Sequence, residues 1–296
     1  VPIRPTEIPF MSAIGRKNVN NTYFEWGVVD LAAASGSNRV IEGEAAPGND
    51  APTNAVRQAN YTQISDKVVE VSDTANAVKG AADAQTTAKQ IAYKLKELKR
   101  DMEKMICDNV AASAGASGTA RQTAGLPAFL RTNVSRGTSG ADGTTSGTGT
   151  AGYVNAAATD GTARAITESL LKTVIADCWD AGAEPSLVIC GSSQKQTIST
   201  FTGNSTKFKE ITDKTLSAAI DIYVSDFGEL QIVPSRLSRT RDVLVLDPNY
   251  ARVAYLQPTT QKELSRTGHA ERRLISVEYG LQVDNEAAHG AVDDVS

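Results

Sequence analysis

The feature that most constrains this chain is an unbroken helix-forming run from Gln85 to Ser113, with no Pro or Gly before Gly115. Ile91, Leu95, Leu98, Met102, Met105, Ile106 and Val110 recur at three- and four-residue steps. That period places them on one face of an α-helix. Lys89, Lys94, Lys96, Lys99, Arg100 and Lys104 occupy the other face, with Glu97, Asp101 and Glu103 interleaved. At 1.5 Å per residue the predicted helix runs about 43 Å, longer than the average globular helix of about 11–12 residues. A rod of this length is expected to be a core helix with a solvated basic face, on which other elements are laid. A coiled-coil arm fits less well, because the heptad pattern fades in the Ala-rich stretch after Val110.

The rest of the chain has to be read around that rod. Its 296 residues suffice for one large domain or two ordinary ones, and 41% apolar content supports a core. A net charge of −4 argues against broad electrostatic binding of nucleic acid. Cys107, Cys178 and Cys190 form no CxxC pair and lie in apolar contexts, so buried free thiols are expected. The odd cysteine count and the lack of a signal peptide suggest a reducing, cytoplasmic origin. No run of about 18 apolar residues is present, so no membrane span is expected.

Residues 1–23 read as an arm. Pro2, Pro5 and Pro9 favour extended backbone, and Ile3, Ile8, Phe10, Met11 and Ile14 are its apolar anchors. Such a segment must lie along another surface or stay mobile. Loss of an initiator Met and proteolytic trimming account equally well for Val1. Residues 24–72 begin with the alternating strand Phe24-Trp26-Val28 and then form a polar excursion turning at Pro47, Gly48, Asn49, Asp50 and Pro52. Its flanks, Arg39-Val40-Ile41-Glu42 and Tyr61 to Val71, have strand character, so a two-stranded ribbon is predicted. A lone ribbon is marginal in water and persists by lying on a neighbour.

Beyond the helix, 14 of the 18 residues from Ser135 to Gly152 are Gly, Ser or Thr, the composition of a flexible linker or surface loop. Thr167 is the expected cap of a helix reaching Ala181, with Ile166 and Leu171 as a hydrophobic staple and Gly182 as terminator. Leu170, Val174, Cys178 and Trp179 would be its buried stripe. A short strand, Leu187 to Cys190, follows, and Ser192 is placed to cap the next helix. Ile220, Ile222 and Val224 pair across a turn at Asp226–Glu229 with Leu230 and Ile232 as a hairpin. Val243–Leu246 and Arg252–Leu256 are strands around the turn Asp247-Pro248-Asn249. Ile275, Val277, Tyr279, Leu281 and Val283 alternate cleanly with polar residues and Gly280, so one face is expected buried and the other wet. This order defines an α+β fold with a mixed α/β insert as a second domain.

Catalytic chemistry finds little footing. There are only two histidines, His269 in a charged turn and His289 in Asn285-Glu-Ala-Ala-His-Gly, and neither has a partner motif for metal or nucleophile. Both read as structural or surface residues. Cys190-Gly191-Ser192-Ser193 departs from the G-x-S-x-G pattern and reads as a strand end feeding a helix. The glycine-rich loop lacks the Lys-Ser/Thr of a phosphate-binding loop. Asp293 and Asp294, beside Asp284 and Glu286, read as solvated tail charge rather than a cation site.

Arm, ribbon, spine helix, inserted domain and returning strands, in this order, resemble the major capsid proteins of tailed bacteriophages, which share the Hong Kong 97-type fold. The likeness extends to Ile8-Pro-Phe-Met-Ser-Ala-Ile-Gly-Arg, Phe201-Thr-Gly-Asn-Ser-Thr-Lys-Phe, Val245-Leu-Asp-Pro-Asn-Tyr and Asn285-Glu-Ala-Ala-His-Gly. The resemblance implies an arm over 1–23, an extended loop over 24–72, a peripheral domain from 73–119 with 257–296, and an axial domain over 120–256. It implies a non-enzymatic shell subunit without cofactor. Pentamers and hexamers of it would enclose double-stranded DNA in a virion assembled in the bacterial host cytoplasm. Portal, scaffolding or decoration proteins would be partners, and DNA contact would be non-specific. An encapsulin-like compartment is the alternative, and an α/β enzyme of unknown reaction a remote one. Arg39, Glu42, Glu44 and Arg57 on the ribbon, with Phe10 and Met11 on the arm, are the expected contacts to neighbouring subunits. The ribbon tip has no Lys, and Lys67 lies near its base, so no covalent cross-link is expected.

Overall fold

The computed structural model describes residues 7–29, 31, 33–43, 45, 52–78, 86–201, 222–266 and 268–296. Ile3, Glu44, Pro47 to Asp50, Gln85, Thr202 to Phe208 and Ile220 lie outside them. In chain order, helix α1 (Pro9–Ala13) leads into β1 (Gly15–Asn18) and β2 (Tyr23–Val28). After an excursion, β3 (Val56–Tyr61) and β4 (Gln63–Ser72) precede the short α2 (Asp73–Ala77) and the long α3 (Thr87–Ile106). The short elements α4 (Leu126–Phe129), β5 (Val134–Ser135), β6 (Thr144–Thr145) and β7 (Gly152–Ala156) then lead to α5 (Glu168–Asp180). β8 (Leu187–Cys190), α6 (Ser192–Ser199), β9 (Ile222–Ser225), β10 (Gly228–Pro234) and β11 (Val243–Leu246) follow. The chain closes with β12 (Ala251–Glu263), β13 (Ala270–Val283) and β14 (Gly290–Val292).

The spine helix packs on a four-stranded sheet of order β1-β12-β13-β4. Leu98, Met102 and Ile106 of α3 share one buried cluster with Val69 and Val71 of β4 and with Ile275, Val277 and Tyr279 of β13. The helix stops at Ile106, short of the Ser113 expected from composition. Tertiary pairing overrides the Ala-rich propensity there. Asn109 donates its side-chain amide to the Ala158 carbonyl at 2.7 Å and accepts the Ala158 N–H at 3.1 Å. Ala112 then donates to the Val154 carbonyl, and Ser113 bridges to Gln122. Val110 therefore leaves the apolar stripe.

The predicted ribbon splits between two sheets. Arg39-Val40-Ile41-Glu42 forms no strand and is exposed. Tyr61 ends β3, which pairs with β2, whereas β4 pairs with β13 over ten residue pairs. Val69 and Val71 find burial against α3 and β13, which an isolated ribbon does not offer. A second sheet, β2-β3-β7-β6, joins the strands flanking the excursion to the insert, Gln58 aligning with Gly152. It covers the face of β13 expected to be wet. A β-carbon on Gly280 would stand 2.7 Å from Phe24 Cε1. Glu278 and Gln282 are buried, and Glu278 is held by Arg121 at 2.6 Å and the Thr62 hydroxyl at 2.7 Å. Polar residues alternate along β13 because that face buries specific polar partners as well as a glycine.

The third sheet, β5-β14-β11-β8-β10-β9, is backed by α5, whose Leu171, Val174, Ile175 and Cys178 form its core with Val188, Val243 and Val245. Thr167 Oγ1 accepts the Leu170 N–H, and Gly182 adopts the left-handed φ of +86° that ends the helix. Trp179 departs from the expected stripe: it is 50% exposed and rests against Phe227 of the β9–β10 turn. Gly191, rather than Ser192, is the cap residue of α6. β14 pairs with β11, Val243 opposite Val292, so residues 290–292 sit with strands of the 120–256 segment and not with the spine-helix sheet. The Gly/Ser/Thr-rich stretch is structured, with Gly137 and Gly143 buried and half of its residues exposed. A β-carbon at Gly137 would collide with the Thr162 carbonyl, so glycine serves close approach there rather than flexibility.

Candidate assembly surfaces

Phe10 and Met11, expected as contacts to a neighbour, are buried within the chain itself. Their backbone explains the docking. Pro9 opens α1, whose cap residue Ile8 has no side chain to satisfy the first-turn amides. Glu103 of α3 does so instead. Its two carboxylate oxygens accept the Phe10 and Met11 N–H groups at 2.8 Å each. Glu103 is fully buried rather than on the solvated face, and desolvation raises its carboxyl above the ordinary value against the two amides that lower it. A carboxylate within a charged repeat gave no signal of this; only the missing cap at Ile8 hinted at a distant acceptor.

Between β2 and β3 the described residues make a different kind of surface. Leu31 is 87% exposed, Val40 71% and Ile41 75%. Arg39 and Glu42 are exposed beside them. Arg57 lies on β3, with its guanidinium at the 4.0 Å limit of an ion pair with Glu25. Exposed apolar side chains thus stand in the same stretch as the charges of Arg39 and Glu42. Glu44 falls outside the described residues.

The basic face of α3 is partly neutralised: Lys94 pairs with Glu97 at 2.7 Å, and Asp101 with Lys67 at 2.6 Å. Lys99 and Arg100 are exposed. Lys67 is thereby held against the spine, and its hydrogen bond to Asp101 raises its amine above the usual value.

The three cysteine thiols and His289 are buried. Burial pushes Cys178 up to about 12 and Cys190 up to about 11, and Cys107 well above its usual value. His289 is fully buried, its Nδ1 accepting the Asp247 N–H at 3.3 Å, and burial drives it down to about 4. Held this far below its usual range, the imidazole is neutral near pH 7. His269 is exposed beside Asp73, at 3.2 Å. Among the described residues no group of His, Cys, Asp and Glu is arranged to hold a metal ion, and no helix is long and apolar enough to cross a membrane. Asp293 and Asp294, expected as solvated tail charge, are buried and paired with arginines.

A spine helix on a four-stranded sheet, with an inserted six-stranded unit and a long excursion, is the architecture of shell-forming phage proteins of the Hong Kong 97 type. A solved structure from Mycobacterium phage Adephagia superposes with a TM-score of 0.60 over 98% of this chain and 90% of that one, at 9% identity. The structure of Phage G gp27 major capsid proteins and gp26 decoration proteins gives 0.56 over 100% and 92%, at 10% identity. The holo-SrpI encapsulin complex from Synechococcus elongatus gives 0.57 over 100% and 91%, at 13% identity. In sequence, the major capsid protein of Escherichia phage Phieco32 is 40% identical over 105 residues, which are 35% of this chain and 29% of that protein. The SU10 major capsid protein family matches residues 1–296, and the chain belongs to it.

Proposed function

We propose that this chain is the repeating subunit of a tailed-phage head shell, a structural protein that closes into pentamers and hexamers around double-stranded DNA. The observation that supports this reading beyond family membership is the high exposure of the apolar side chains of Leu31, Val40 and Ile41 in the stretch between β2 and β3. Exposed apolar side chains on an extended stretch gain burial when it lies on another copy. Head-to-tail contacts of this kind generate rings when the rotation closes. In this reading α3 and its sheet are the peripheral unit and the six-stranded sheet is the axial unit. The excursion, with Arg39, Glu42, Glu44 and Arg57, reaches over a neighbour. The arm is docked within its own subunit by Glu103. Lys99 and Arg100 on the spine would touch packaged DNA without sequence preference, with an affinity that falls as salt rises.

Portal and scaffolding proteins are proposed partners. Phage G has gp26 decoration proteins beside its gp27 capsid proteins, which supports adding decoration proteins as partners here. The proposed location is the virion, after assembly in the host cytoplasm. Lys67 is occupied by Asp101 and the tip residues include no Lys, so assembled particles should dissociate into single chains on a denaturing gel. The encapsulin reading shares the fold, and family membership favours the phage reading over it.

The test is sedimentation of the purified protein, with Leu31→Ser, Val40→Ser and Ile41→Ser combined in one variant. The wild type should sediment as large particles containing nuclease-protected DNA when recovered from infected cells. The variant should keep its circular dichroism and stay as small species. Particles that form equally well from the variant would refute the excursion's role, and particles holding only protein cargo would favour the compartment reading.

A further inference from the structure

The last residues of the chain are bound into a cluster of buried charge that the shell function does not call for. The Asp294 carboxylate accepts the Gly137 and Gly161 N–H groups at 3.0 and 2.9 Å and pairs with Arg241 at 2.7 Å. Its backbone takes a left-handed φ of +58°. Around it, Arg164 N–H donates to the Asp294 carbonyl, Val295 N–H to Arg241 and Ser296 N–H to Arg164. Asp293 Oδ2 meets Arg136, which also holds the half-exposed Asp142 at 2.8 Å. Asp242 Oδ2 accepts from Arg239 at 2.9 Å, and Arg239 also holds Asp160 and lies 3.9 Å from Asp108. Arg241 lies 3.8 Å from Asp160 as well, and Arg164 donates to the Ser135 hydroxyl at 2.8 Å.

Two features do not balance. Arg136, Arg239 and Arg241 face the four carboxyls of Asp160, Asp242, Asp293 and Asp294, before the rim residues Asp108 and Asp142 are included. Among the described residues the remaining oxygens Asp242 Oδ1 and Asp293 Oδ1, on side chains at least nine-tenths buried, are buried without a hydrogen-bond partner, as are the Nε donors of Arg164 and Arg241. An ionised carboxylate with a bare buried oxygen is costly, and a proton removes both the excess charge and the missing bond. Burial raises both groups above the ordinary carboxylate range, and for Asp293 the negative charge of Asp242 adds to the rise against the lowering by Arg136 and Arg239.

We propose that Asp242 and Asp293, which flank the opposed pair Val243 and Val292 at the start of β11 and the end of β14, retain one proton between them, and that this proton clasps residues 293–296 onto the six-stranded sheet. The clasp opens when the proton leaves. Direction follows from the raised carboxyls. Their contribution to stability is complete below the unfolded carboxylate value of about 3.9. It is lost as pH rises beyond the ordinary carboxylate range towards neutrality, because burial and the neighbouring carboxylate hold the pair's proton on. Above that window the folded state carries an extra buried negative charge, which release of the tail relieves. The device depends only on the fold, so its failure would leave the shell reading untouched.

The experiment pairs infrared titration with amide exchange on the purified protein and on Asp242→Asn and Asp293→Asn, which keep the shape and remove the charge. The wild type should show a protonated-carboxyl stretch that persists above the usual carboxylate range and disappears between about pH 6 and about pH 8. That titration should be absent from both variants. Once corrected for the intrinsic pH dependence, exchange at Val295 and Ser296 should accelerate at least tenfold across the same window in the wild type and stay flat in Asp293→Asn. Loss of the carboxyl stretch wholly below about pH 5, its persistence in both variants, or pH-independent protection of Val295 and Ser296 would overturn the proposal.

Discussion

Replacing Glu103 by Ala removes both acceptors from the first turn of α1 while leaving Phe10 and Met11 in their pocket. Each amide donates at 2.8 Å to a buried carboxylate oxygen, and α1 has no cap of its own. A buried donor left without an acceptor costs about 1–3 kcal/mol, so the pair of amides should cost about 2–6 kcal/mol. Glu103→Gln keeps one acceptor oxygen and relieves the desolvation that raises the native carboxyl, so its cost should be smaller. The assay is amide exchange at Phe10 and Met11, with residues of α5 as an internal control. Glu103→Ala should speed exchange at each amide roughly 5- to 150-fold, the equivalent of about 1–3 kcal/mol in local opening, without affecting α5. Glu103→Gln should fall between it and the wild type. Unchanged protection in Glu103→Ala would refute the claim that the spine holds the arm through this carboxylate.

Other perturbations probe the remaining joints. His289 is depressed to about 4 by burial, below its ordinary value of about 6.5, so its contribution is present above about 6.5 and lost as pH falls through about 4. That difference is worth roughly 3 kcal/mol, and His289→Asn should flatten this part of the acid limb in urea titrations relative to wild type. Arg121→Ala strands the buried Glu278 with only the Thr62 hydroxyl and should cost roughly 3 kcal/mol in the same assay, the lower end for a broken buried pair because Arg121 is partly exposed. Gly280→Ala forces a β-carbon to 2.7 Å from Phe24 and 3.1 Å from the Tyr61 carbonyl, and should cost about 1–3 kcal/mol. Trp179→Ser removes a half-exposed ring that rests on Phe227 and should cost at least about 0.5–1.5 kcal/mol in thermal unfolding of the subunit.

The elements legible in the sequence were those whose residues interact locally. The face of α3 follows from its period, and α5 from Thr167 and Gly182. The β9–β10 hairpin follows from alternation around Asp226-Phe227-Gly228. What stayed hidden depends on partners distant in sequence. Asn109 meets Ala158 and ends the helix early, and the second sheet covers β13 through Phe24 and Asn60. Asp293 and Asp294 are indistinguishable from tail charge until Arg136 and Arg241 are brought beside them. The candidate contacts divided for the same reason. Arg39, Glu42 and Arg57 are on the surface, as polar ribbon residues should be, while Phe10 and Met11, expected as contacts to a neighbour, find their acceptor in Glu103, 93 and 92 residues away.

Electron microscopy of the purified protein tests the central claim most directly. The account predicts closed, uniform shells in which Leu31, Val40 and Ile41 of each subunit lie against an adjacent copy and α1 lies under its own spine helix. A monodisperse compact monomer, with the excursion folded onto its own surface, would contradict it.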